Sequence, residues 1–140
     1  MTYRVGWGGA GSAVVDTADE LDKVLDDITI GPDTLPYCVS ISVAADDSLI
    51  PVMLQICVGH AERSFAFHVA GDDSAAWGYE SAVDGGLEFV FDYSGVPTDT
   101  WLERTRVTPR AARQAAREFV SGVDFGAPDA ATPADMVSHV

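Results

Sequence analysis

The stretch from Ser48 to Ala70 sets the terms for the whole chain. Two arms rich in β-branched and aromatic residues, Val52 to Val58 and Ser64 to Val69, flank the short polar turn Gly59-His-Ala-Glu-Arg63, which is the pattern of a β-hairpin. Side chains alternate across a strand. Val52, Leu54, Ile56 and Val58 therefore share one face of the first arm, and Met53, Gln55 and Cys57 share the other. In the second arm Phe65, Phe67 and Val69 alternate with Ser64, Ala66 and His68. The first arm is apolar enough on both faces to be a central strand, so the remaining segments must extend it or cover it.

Taken from the N-terminus, Tyr3 to Trp7 reads as a short strand. It runs into Gly6-Trp-Gly-Gly-Ala-Gly11, formally G-x-G-x-x-G. A dinucleotide site needs a helix opening directly from that loop, so that the pyrophosphate meets the helix N-terminus. Here Ser12 to Val15 continues as a strand and helix signals begin only at Thr17, so the glycines predict a hairpin turn. Thr17-Ala-Asp-Glu20 is a capping box. Leu21, Val24, Leu25 and Ile28 then recur at helical spacing until Gly31-Pro32. Tyr37 to Ala44 alternates as a strand, and Asp46-Asp-Ser48 turns the chain into the hairpin.

Beyond the hairpin, Gly71 to Ser74 is an acidic turn, Ala76 to Glu80 a short strand and Asp84-Gly-Gly86 another turn. Leu87 to Tyr93 reads as a strand with Glu88 and Asp92 toward water, and Gly95 to Thr100 as a Pro-containing loop. Thr108-Pro109 opens a second helix. Its buried stripe is Ala112, Ala115, Ala116, Phe119 and Val120, with Arg110, Arg113 and Arg117 facing out, and Gly122 closes it. From Val123 the composition turns to Gly, Ala, Pro and Asp, which predicts a loosely ordered tail over 123–140 with one turn at Thr132-Pro133. The expected fold is α+β. An antiparallel sheet of about five to seven strands carries an N-terminal helix and a C-terminal Ala/Arg-rich helix, in one domain over residues 1–122.

The net charge of −14 repels nucleic acid and anionic membranes and attracts basic partners. Eighteen acids against three bases precede Arg104, whereas Arg104 to Glu118 holds five Arg and one Glu. A basic partner is therefore expected to meet the body of the protein, not the Arg-rich helix. The N-terminus has no signal-peptide core and no run is long enough to span a membrane, so a cytoplasmic protein is expected. Cys38 and Cys57 lie in predicted strands without Cys-x-x-Cys spacing. They read as buried thiols, and no metal or other cofactor is expected. No G-x-S-x-G, H-E-x-x-H or P-loop occurs. An enzyme or ligand-binding domain would have to use the mixed sheet face around Ser40, Gln55 and His68, with Cys57 and His68 as its nucleophile pair. A subunit that dimerises through a sheet edge is a third reading.

Several blocks together point elsewhere. Val5-Gly-Trp-Gly-Gly with the Thr17 helix, Leu54 to Phe65, Trp77-Gly-Tyr-Glu80, Phe89 to Gly95 and Arg104 to Val120 resemble the family-one immunity proteins of bacterial polymorphic toxin systems. The resemblance covers about residues 3 to 122 and does not extend to the tail. It implies a non-enzymatic α+β protein that binds and neutralises a cognate toxin, often a nucleic-acid deaminase, inside the producing cell. The acidic charge fits a toxin with a basic cleft. Under this reading the candidate contacts are loop acids and nearby aromatics: Asp72, Asp73, Trp77, Tyr79, Glu80, Asp84, Asp92, Tyr93 and Trp101.

Overall fold

A computed structural model describes residues 1–28, 34–46, 52–69 and 75–122, together with the backbone of 135–138. Gly31-Pro32, Asp47-Ser48, the acidic turn with Asp72 and Asp73, and Thr132-Pro133 lie outside the described residues.

The chain begins with the Gly-rich hairpin. β1 (Tyr3–Trp7) pairs antiparallel with β2 (Gly11–Val15), with Trp7 opposite Gly11. Gly8 turns the chain at φ 61°, a left-handed value that a side chain resists. No helix opens from this loop, so it is no dinucleotide cradle. α1 (Ala18–Asp27) starts where the capping box places it. Thr17 Oγ1 accepts from the Glu20 N–H at 3.1 Å, and Glu20 Oε1 reaches back to the Asp16 N–H at 2.7 Å.

β3 (Tyr37–Val43), β4 (Met53–Val58), β5 (Ala66–Val69) and β6 (Ala75–Tyr79) complete the centre of the sheet. β7 (Val90–Tyr93) and β8 (Val96–Asp99) make a second hairpin, a 3₁₀ turn follows at Leu102–Thr105, and α2 spans Pro109–Val120. β9 (Asp135–Ser138), from the stretch read as tail, lies along β6. The main path is β2-β1-β3-β4-β5-β6-β9, antiparallel throughout, with β7–β8 attached to β3 by one parallel pair, Tyr37 with Asp92. The architecture is the expected α+β one, with β4 central.

Gly95 to Thr100, expected as a loop, contains a strand. Tyr93 pairs with Val96 across Ser94-Gly95, both at positive φ (51° and 92°), the two-residue turn that suits strand twist. Pro97 is tolerated because β8, among the described residues, is an edge strand with β7 alone beside it.

The two faces of the sheet differ. Leu21 and Leu25 of α1, Ile28 just after it, and Ala112, Ala115, Ala116 and Phe119 of α2 pack on Val5, Val39, Ile41, Leu54 and Ile56. On the opposite face Cys38, Cys57, Phe65 and Phe91 form a separate, smaller cluster flanked by Trp77 and Phe89. Arg113 and Arg117 do not simply face out. Arg113 pairs with Asp26 at 2.8 Å, and Arg117 with Asp22 and Asp19, tying the wet side of α1 to α2.

Candidate interaction face

Strand register decides which polar groups meet. Ser40 lies opposite Gln55, and Cys38 opposite Cys57, so these share the face away from the helices. His68, however, lies opposite Leu54, and directly opposed residues share a face. His68 therefore sits on the helix side, its ring 6.0 Å from that of Phe119. The pocket expected from Ser40, Gln55 and His68 does not assemble, and Cys57 and His68 cannot act as a pair. Burial pushes the Cys38 thiol up to about 12 and raises that of Cys57 as well, which makes both inert.

What the helix-free face carries instead is an aromatic groove. A cavity of about 340 Å³ is lined by Gln55, Phe65, Phe67, Trp77, Phe91, Tyr93, Thr98 to Trp101, Arg104 and Thr105. At its floor the Gln55 amide donates to Ser40 Oγ at 3.0 Å and to the Tyr93 hydroxyl at 3.4 Å. A second cavity of about 430 Å³ shares Trp77, Trp101 and Arg104 and continues to Tyr79 and Arg106. The two meet at Arg104. Its guanidinium carbon lies 4.2 Å from the ring centroids of both Trp77 and Trp101.

The wall of the groove is held by short side chains. Thr105 Oγ1 accepts from the Leu87 N–H and donates to the Leu87 carbonyl oxygen, and Thr100 Oγ1 accepts from the Phe89 N–H. Gly86 lies so close to the 3₁₀ turn that a Cβ there would collide with the Leu102 carbonyl oxygen. Asp92 Oδ1 accepts from the Gly95 N–H and closes the β7–β8 turn. Gly95 in turn sits against Gly9, with 3.3 Å from an added Cβ to the Gly9 Cα.

This wall is where apolar surface is left to water. Leu87, Val90, Tyr93, Val96, Trp101 and Leu102 are exposed, Val96 at 61% and Trp101 at 67%. Exposed Asp84, Glu88, Asp99 and Glu103 occupy the same segments. Apolar centres among acids suit a protein partner that carries basic groups.

Of the acids and aromatics singled out from the sequence, Trp77, Tyr93 and Trp101 line the first cavity and Tyr79 the second. Asp84 is exposed nearby, and Asp92 is committed to its turn. Glu80 is structural: its Oε1 accepts from the N–H and the hydroxyl of Thr108, both at 2.7 Å, at the start of α2. His60 is structural too, with Nδ1 accepting from the Glu62 and Arg63 N–H groups and the ring stacked on Phe89. Arg104, Val96 and Leu102 were not anticipated. The Trp101-x-x-Arg104 spacing was the one readable sign of Arg104, since residues three apart stack in a 3₁₀ turn.

Among the described residues no group of three His, Cys, Asp or Glu is placed to hold a metal ion, and no helix is long and apolar enough to cross a membrane. No curated protein and no solved structure matches the chain. The family model for immunity protein Imm1 matches residues 9–125, which spans both helices, the central strands and the whole aromatic wall, and the chain belongs to that family of toxin-neutralising immunity proteins.

Proposed function

We propose that the cognate toxin is a basic, nucleic-acid-acting enzyme, a deaminase with a nuclease as the second candidate, and that this chain occludes its substrate cleft. The observation that carries the reading is the concentration of exposed apolar side chains and carboxylates between Asp84 and Arg104. Trp77, Tyr79, Tyr93 and Trp101 supply the anchors, with Asp84, Asp99 and Glu103 around them. Asp72 and Asp73, acids of the sequence between β5 and β6, are further candidate contacts, and Asp92 closes the β7–β8 turn. Inhibition in this scheme is steric and electrostatic and needs no reaction by the immunity protein, which acts in the cytoplasm of the producing cell. The domain responsible is residues 1–122.

The acidic field accelerates encounter with a basic cleft, and that acceleration is screened by salt. The test uses the toxin domain encoded beside this gene. Its association rate with the full chain is expected to fall steeply between low and physiological salt, and its activity on nucleic acid to vanish in the saturated complex. A rate indifferent to salt would remove the electrostatic part. A saturated complex that still turns over substrate would remove occlusion.

A further inference from the structure

Arg104 is held unlike the other half-buried arginines. Arg113 and Arg117 pair with carboxylates of α1. Arg63 donates to the Gly85 carbonyl oxygen and Arg106 to that of Val83. The Arg104 guanidinium has neither arrangement among the described residues: two indoles cover it, and its N–H edge donates to nothing. Asp99 and Glu103 border the adjoining cavities but form no ion pair with it. Burial draws its pKa below the usual arginine value, with no carboxylate to offset the loss of water.

A planar cation fixed between two rings keeps a directed fork of donors, and little side-chain entropy remains to be lost when that fork is used. Arginine and tryptophan in a desolvated pocket at the centre of an exposed apolar surface are the usual anchors of an interface. A docking partner that covers this cation takes its remaining water away, and a carboxylate placed at the guanidinium edge offsets that loss.

We infer that Arg104 is the receptor for one carboxylate of the toxin, an Asp or Glu side chain that enters where the two cavities meet and takes the guanidinium edge in a bidentate pair. The inference rests on the docking reading above. It adds that a predominantly basic toxin is recognised through a single acidic residue. The surrounding acids draw in any basic protein, whereas Arg104 rewards only one that carries a carboxylate at that point, because any other partner covers the cation on docking without answering it. Arg104 thus sets specificity more than encounter.

The experiment compares the full chain with its Arg104→Gln and Arg104→Lys variants against the toxin domain encoded beside the gene. Each surface Asp and Glu of the toxin is then neutralised in turn, alone and against Arg104→Gln. Arg104→Gln is expected to weaken binding roughly thirty-fold or more, chiefly through dissociation, and lysine to restore little of it. One toxin substitution should weaken binding similarly and add almost nothing to Arg104→Gln. The toxin-side series leaves this chain untouched, so it holds even if a variant melts early. If wild type binds and Arg104→Gln stays within about threefold of it, this inference fails and the docking reading stands. It fails equally if the loss couples to no toxin acid. If wild type does not bind the toxin, both fall.

Discussion

Leu54 and His68 are direct partners across the β4–β5 pair, and through that one register the two sides of the sheet acquire different tasks. His68 is drawn under α2, whereas Gln55, next to Leu54 in the chain, looks into the aromatic groove. A slip of one residue in β5 would bring His68 onto the groove side beside Gln55, because side-chain period along a strand is two. The helix side becomes core, and the other side keeps the open aromatic groove.

Trp101 is the most exposed aromatic side chain of the groove and stacks on Arg104. Its replacement by alanine should cost about 1 kcal/mol of stability or less, the worth of an exposed cation–π contact. It should cost about 2 kcal/mol or more of toxin affinity, as a central anchor does. Thermal melts beside calorimetric titration with the toxin separate the two. A variant that melts early and binds normally would make Trp101 a packing residue.

Gly86→Ala puts a methyl group into the Leu102 carbonyl oxygen. The 3₁₀ turn must move, and with it Trp101 and Arg104. A loss of about 1–3 kcal/mol is expected from such overpacking, together with a change in tryptophan emission and weaker toxin binding. An unshifted emission spectrum would show that the turn does not bear on Gly86.

Glu80→Ala removes the acceptor for both the N–H and the hydroxyl of Thr108. Leaving those donors without a partner should destabilise the protein by about 1–3 kcal/mol. Because Glu80 serves the start of α2, the association rate with the toxin should stay at the wild-type value. A slower rate with normal stability, in stopped-flow mixing and urea titration, would return Glu80 to the interface.

The thiols titrate in a direction that can be read from burial. Desolvation raises Cys38 from 9.0 to about 12 and raises Cys57 also. As pH climbs past 9.0 the unfolded chain gives up these protons before the folded one. The thiols' contribution to stability is intact below that point and is lost as pH rises from there toward 12. At pH 8 neither thiol of the native protein should react with iodoacetamide over hours, and both should after unfolding, as mass spectrometry can count. Rapid native labelling would show that the face is open to water.

Much of the fold was legible because local rules and tertiary packing agree. Thr17 and Thr108 cap their helices as their spacing indicates, and the alanine stripe of α2 is the buried one. Three things were not legible, each for a physical reason. The relative parity of the two hairpin arms depends on the turn between them, and the alternation within each arm does not fix it. β8 was obscured by Pro97, which argues against a strand unless the strand is known to lie at an edge. The exposed wall was hidden because Leu87, Val90 and Val96 look like core residues in a string of letters, and only the fold shows them exposed.

The Cys38–Phe91 cluster and the helix-side core have no residue in common. Substitutions along the outer wall from Leu87 to Leu102 therefore need not unsettle Leu21, Ile56 or Phe119, on which folding rests. An inhibitor locked in rivalry with a changing toxin profits from such separation, since its contacts can turn over from one lineage to the next while the scaffold stays still. Divergence among relatives should accordingly concentrate on the groove side of the sheet and spare the side beneath α1 and α2.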